Sequence, residues 1–297
     1  MQSARRGYIF LAVTVCGWGL TWPINKLILQ SMSPYWMSAF RSAIATVVLL
    51  AIALPRGRLP LPSRADMPVV LSITLLHMVG FAVLASIGLQ LVPVGRSVVL
   101  AYTTPLWVMP GAALFLGERL TPRRVLGVVL GMLGLAFLFN PFAFDWGDRN
   151  AVLGHGALLL AALLWAASIL HNRGHAWRAT PFQLVPWEMM LATVLLLLIA
   201  LASDSWHVIA WDARLVLLLV VSSVIGTAIP FWTIAMAGRN LPALSVSMGL
   251  LGAPIIGVLV AMMALGEIPD AAVWVALALV IGGVALGSSR ARNAGVV

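Results

Sequence analysis

Two stretches decide how this chain is read: PLWVMPGAALFLGE over residues 105–118 and PIIGVLVAMMALGE over residues 254–267. Each opens on proline and closes on Leu-Gly-Glu with the proline thirteen residues before the glutamate, and the two lie 149 residues apart. The same register pairs Ala112 with Ala261 and Gly134 with Gly283. Upstream, the halves align at an offset of 147, where Trp18 meets Trp165, Pro34 meets Pro181 and Arg41 meets Glu188. The chain is therefore read as two copies of one unit, residues 1–145 and 146–297.

Composition says where such a chain lives. Hydrophobic residues make up 62% of the 297, charged residues only 9%, and mean hydropathy is +1.03. A soluble domain carries roughly a quarter charged residues. The apolar stretches predict ten helices, at about 7–27, 34–54, 68–89, 94–115, 123–141, 152–172, 181–203, 214–236, 241–263 and 270–289. Most approach the ~20 residues that cross a hydrocarbon core. Five helices per unit is an odd number, so the second unit enters the membrane from the opposite side. The expected fold class is an all-α integral membrane protein of ten transmembrane helices in two inverted five-helix repeats, with no soluble domain to house a separate active site. Inverted repeats of this kind build carriers with two interconvertible faces.

The net charge of +9 raises a nucleic-acid partner, but its distribution speaks against one. Thirteen basic residues, at 5, 6, 56, 58, 64, 119, 123, 124, 173, 178, 239, 290 and 292, fall on one side of the ten-helix topology, and only Lys26, Arg96, Arg149 and Arg214 fall near the other. By the positive-inside rule both termini are cytoplasmic, and the charge serves contact with the lipid bilayer. Arg5 and Arg6 precede an apolar run that reaches Cys16, yet Val13, Thr14 and Val15 are not the small residues a cleavage site wants, so the run is read as a first membrane helix. The lone cysteine forms no internal disulfide and no thiolate metal site.

With Trp18-Gly19 and Lys26 on the first helix, Pro34 to Arg41 on the second, and Pro105 through Leu116-Gly117-Glu118-Arg119-Leu120-Thr121 after the fourth, the chain resembles the drug/metabolite transporter superfamily, in its ten-helix form of two EamA repeats. The second copy departs at its tail, where Ile268, Pro269 and Asp270 follow the glutamate. Length and aromatic content resemble the YddG-type aromatic amino-acid exporters. The resemblance implies a carrier of the bacterial inner membrane, monomer or homodimer, that exports aromatic and other neutral amino acids or related small metabolites by alternating access. It implies no cofactor. A multidrug exporter of organic cations is the alternative in the same superfamily. Small exporters of that kind depend on a glutamate in the first helix, and residues 7–25 contain no acid. An integral-membrane enzyme would need convergent acids, histidines or a nucleophile. The sequence has no HExxH, GxSxG or phosphate loop.

The expected substrate site joins His77, Phe81 and Tyr102 of the third and fourth helices to Trp18, Trp165, Ser168 and Trp232. Aromatic walls with a few hydroxyl and amide groups suit small amphipathic solutes. Arg41 and Glu188 are the charges well inside spans, each seven residues past the proline that opens its helix and so about 10 Å deep; snorkelling, structural and cavity-lining roles are open for both. Glu118 and Glu267 are expected to cap the helices that follow them, with gating as the other reading. His171 and His175 have ligand spacing but no accompanying acid, so no metal site is expected. Trp36, Trp146, Trp177, Trp206 and Trp211 are assigned to the interfacial belt. Small residues at Gly127, Gly131, Gly282 and Gly283 are expected to serve close packing of the fifth and tenth helices, with each other or across a dimer.

Overall fold

The computed structural model describes residues 2–54, 59–118, 120–139, 145–179, 181–203, 209–241 and 243–288. Arg56, Arg58, Arg119, Arg290, Arg292, Trp206 and His207 lie outside them. Among the described residues the regular structure is helical: α1 (Gln2–Ile28), α2 (Pro34–Ala53), α3 (Met67–Leu91), α4 (Val94–Leu116), α5 (Pro122–Phe139), α6 (Arg149–Gly174), α7 (Pro181–Ser203), α8 (213–240), α9 (243–265) and α10 (Ala271–Ser288). Seven of them, α1 to α4 and α6 to α8, are long and apolar enough to span a bilayer, and Gly252–Leu265 of α9 and Ala271–Gly287 of α10 are shorter apolar helices.

Helix starts follow local chemistry. Asp148 accepts hydrogen bonds from the N–H groups of Asn150 and Ala151, and Asp212 from that of Leu215, each filling a first turn that no carbonyl can reach. Within the spans, the hydroxyls of Thr14, Thr21, Ser38, Thr46 and Ser86 donate to the carbonyl four residues back, which satisfies them without water.

The duplication is visible in the irregularities. The fourth helix of each repeat is interrupted, after Ala101 in α4 and after Leu250 in α9; its halves, Val94–Ala101 and Thr104–Leu116, answer to Ala243–Leu250 and Gly252–Leu265. Both end on a left-handed glycine, Gly117 and Gly266, each at φ 66°, the conformation that glycine adopts without a Cβ clash. Both third helices contain a π-helical stretch, Ile73–Phe81 in α3 and Val224–Ala228 in α8.

The first helices are exchanged between repeats. α1 packs against α8 and α9, and its counterpart α6 against α3 and α4. α2 lies against α7, and α5 against α10. In that last pair the backbones touch at Gly127 and Gly283, where a Cβ on either would meet the carbonyl of the other. Of the small residues expected for close packing, Gly127 and Gly283 are thus used between α5 and α10 of one chain, whereas a Cβ on Gly131 would meet Leu106 of α4 and one on Gly282 would meet nothing within 4 Å.

The exchange brings each repeat's end charges onto the other. Glu267, after α9, accepts from the N–H groups of Val94 (3.0 Å) and Gly95 (3.2 Å), and so caps α4. Glu118, after α4, pairs with Arg173 at the end of α6 and with Arg124 at 3.0 Å. The expectation that each carboxylate caps the helix after it is corrected: Glu267 caps a helix start of the other repeat, and Glu118 is held by arginine side chains of α5 and α6. Lys26 donates to the carbonyls of Leu89 (2.7 Å), Gln90 (3.2 Å) and Val92 (3.0 Å), closing the end of α3. Trp36 also departs from expectation. It is only 5% exposed and stacks on Phe40, with centroids 5.4 Å apart, rather than lying in an interfacial belt.

Candidate substrate cavity

Trp18 and Trp165 occupy equivalent positions of the exchanged helices α1 and α6, and they meet edge to face with centroids 6.3 Å apart. Around Trp165 the other rings assemble. His77 stacks on it at 5.0 Å and 11°, Phe81 lies at 5.0 Å and Tyr102 at 6.3 Å. Phe231 of α8 completes the group, 5.9 Å from His77 and 6.3 Å from Trp18. Such geometries place ring edges on ring faces at favourable separation.

The helix irregularities position these side chains. His77 and Phe81 lie in the π stretch of α3, which widens the helix and re-aims its side chains. Tyr102 sits at the break of α4, where φ −81° and ψ 8° end the first half. Tyr102 and Trp22 both line the cavity.

The cluster forms one wall of a cavity that encloses about 950 Å³ counting its open mouth. From the cluster the cavity continues past Trp22, Asn25, Ser38, Ser86 and Leu89, and so occupies the half of the membrane toward the face where α1 ends. Ser38 and Ser86 are 3.3 Å apart there, and Ser222 donates to Asn25 Oδ1 at 2.6 Å. Arg41 also lines the cavity, with one guanidinium nitrogen donating to Thr227 Oγ1 at 3.0 Å. Among the described residues no lining residue is acidic.

On the opposite face, where α2 and α6 end, Asp66 ties the repeats together. It accepts from Ser63 Oγ (2.9 Å) and from the N–H groups of Arg178 (3.1 Å) and Ala179 (3.2 Å), with His175 Nε2 at 3.1 Å. The N–H of Arg178, above all, holds the Asp66 carboxyl down to about 2, with His175, Ser63 and Ala179 assisting and burial opposing.

Of the residues expected from sequence, Trp18, His77, Phe81, Tyr102 and Trp165 come together on the cavity. Ser168 and Trp232 do not. Ser168 is buried, and Trp232 packs on Phe10 at 5.6 Å, because α8 turns that face toward α1 rather than toward the opening. Glu188 is buried off the cavity with Oε1 unpartnered, while its counterpart Arg41 lines it; the two form no ion pair. Trp22 and Phe231 join the site without having been expected there. Trp22 carries a usable signal, standing four residues after Trp18 on the same helical face. Phe231 carries none, since its direction depends on the π stretch that precedes it.

Both repeats match the EamA-like transporter family, over residues 5–140 and 152–289. The chain belongs to that family. It is a multi-pass membrane transporter and not an enzyme. This EamA-like transporter is 27% identical to an uncharacterized transporter, YvbV of Bacillus subtilis, over 79% of the chain and 76% of that protein. It is 30% identical to a riboflavin transporter of Rhizobium johnstonii over 74% and 68%, and 27% identical to the aromatic amino acid exporter YddG of Ancylobacter novellus over 89% and 90%. A solved structure with 24% identity superposes with a TM-score of 0.66, covering 93% of the chain and 96% of its own, which shows the shared fold.

Proposed function

We propose that this transporter exports aromatic and other neutral amino acids, or related small metabolites, across a bacterial inner membrane, with both termini cytoplasmic. One observation carries the substrate reading: five aromatic rings and an imidazole converge on the seam between the exchanged helices α1 and α6, beside a polar wall. A flat apolar side chain fits against such rings, and a small polar head against Asn25, the serines and Arg41. The seam is where rocking of one repeat against the other changes the walls, so a solute held there is offered to each face in turn. Export rather than uptake is supported by the exporter among its relatives. The orientation is supported by the basic-residue bias. A cation exporter is less well supported, because no acid lines the cavity among the described residues.

Counterflow of radiolabelled L-phenylalanine and L-tryptophan in proteoliposomes tests this. Trp165→Ala removes the ring at the centre of the cluster. A substrate ring that stacks on it gives up one or two aromatic interactions worth about 0.5–1.5 kcal/mol each, so half-saturation should rise about threefold to a hundredfold. Trp107→Ala and Trp232→Ala are the controls, since Trp107 bonds Thr103 on its own helix and Trp232 faces Phe10. Equal loss in all three, tracking folded yield, would show that the rings are packing and not a site.

A further inference from the structure

Arg41 is a guanidinium inside a membrane span without a counter-ion. Among the described residues it makes no ion pair, and its buried Nε has no hydrogen-bond partner. It donates to Thr227 Oγ1, whose own hydroxyl proton goes to the carbonyl of Ser222 at 3.2 Å. A cation at such depth needs an anion or water to be tolerated. It lines the cavity, so an anion arriving by the cavity reaches it.

Its place relative to the rings is set by α8. Thr227, which holds Arg41, and Phe231, which touches His77 and Trp18, are four residues apart on one helix. Both line the same cavity as Arg41, His77 and Trp18. The guanidinium and the rings therefore face one enclosed space, as the carboxylate and ring of a single phenylalanine or 3-phenylpropionate molecule require. The planar fork of arginine matches a carboxylate in a way an ammonium does not.

An ammonium group finds much less. Among the described residues no lining residue is acidic. The acceptors it meets, Asn25 Oδ1 and the hydroxyl oxygens of Thr21 and Ser86, are neutral and supply no charge to balance a cation. Resting on the proposed aromatic-solute reading, we infer that Arg41 anchors the carboxylate of the transported solute, and that the site takes aromatic carboxylates with or without an α-amino group.

The test uses the full-length protein in proteoliposomes, with L-phenylalanine, 3-phenylpropionate (no amine) and 2-phenylethylamine (no carboxylate) competing against L-[³H]phenylalanine counterflow. The expected order places 3-phenylpropionate within about tenfold of L-phenylalanine, with 2-phenylethylamine weaker than both by at least about tenfold. Arg41→Gln should weaken both carboxylates by about tenfold to a hundredfold and leave the amine unchanged; Arg41→Lys should recover part of the loss. Should Arg41→Gln fail to fold, the wild-type order of the three probes still decides. Phenylalanine exchange with no inhibition by 3-phenylpropionate, amine inhibition equal to phenylalanine, or a folded Arg41→Gln with unchanged affinity would each overturn the inference while leaving the aromatic amino-acid reading intact. Absence of phenylalanine exchange, with direct binding of neither carboxylate by calorimetry, would overturn both.

Discussion

Glu267 distinguishes a cap from a gate. Its two oxygens accept from the Val94 and Gly95 N–H groups at 3.0 and 3.2 Å, at the start of α4 in the other repeat, and it lies within electrostatic reach of Lys26. Removing it leaves two helix-start donors without an acceptor. Loss of a capping side chain costs about 0.5–2 kcal/mol, and charge-assisted bonds lie toward the upper end, so Glu267→Ala should lower stability by about 1–2 kcal/mol. Glu267→Gln keeps one amide oxygen as acceptor and should lose roughly half as much. SDS unfolding titrations in mild-detergent micelles measure the difference. Counterflow per folded molecule should change by less than about twofold, because the cap is made and kept within one end of the fold. Full stability with transport abolished in Glu267→Gln would refute the capping argument and make the carboxylate a moving part.

The neighbouring glycines of α10 should respond oppositely. A Cβ at Gly283 would press on the Gly127 carbonyl and lie 2.8 Å from Gly131 N, whereas one at Gly282 meets nothing within 4 Å. Gly283→Val should therefore abolish folded yield in detergent size-exclusion profiles, and Gly282→Ala should leave it unchanged or gain about 0.5–1 kcal/mol. At the face where α2 ends, Asp66→Asn should lower thermal stability at neutral pH. Since the Asp66 carboxyl titrates below its ordinary value, its contribution is full above about pH 4 and fades as pH falls toward about 2. The variant's unfolding midpoint should be flatter than wild type over that window, and an identical pH profile would remove Asp66 from the contact between repeats.

Much of the cavity was legible because membrane sequences restrict what a residue can be doing. Trp18 and Trp165 share a register, and placing them on equivalent helices of inverted repeats brings them to one seam. His77, Phe81 and Tyr102 followed from being aromatic or polar near mid-span. Trp232 met the same criteria and was misplaced, since periodicity gives a face only for a regular helix, and α8 carries a π stretch just before it. Ser168, on the regular α6, is buried in packing away from the cavity. Arg41 and Glu188 were indistinguishable as a repeat-related pair. One lines the cavity and the other is buried away from it, a difference that no sequence position encodes.

By itself, then, the sequence determined the membrane environment, the helix count and the doubling of the unit, because each follows from hydropathy or from repetition. Tertiary structure decided which helices are exchanged, that Glu267 caps α4 rather than the helix after it, and that Arg41 faces the cavity. Those are relations between segments far apart in the chain. In an apolar solvent such as lipid, local pattern says that a helix is buried but carries little information on which neighbour buries it, so packing and hydrogen bonds between helices make the choice.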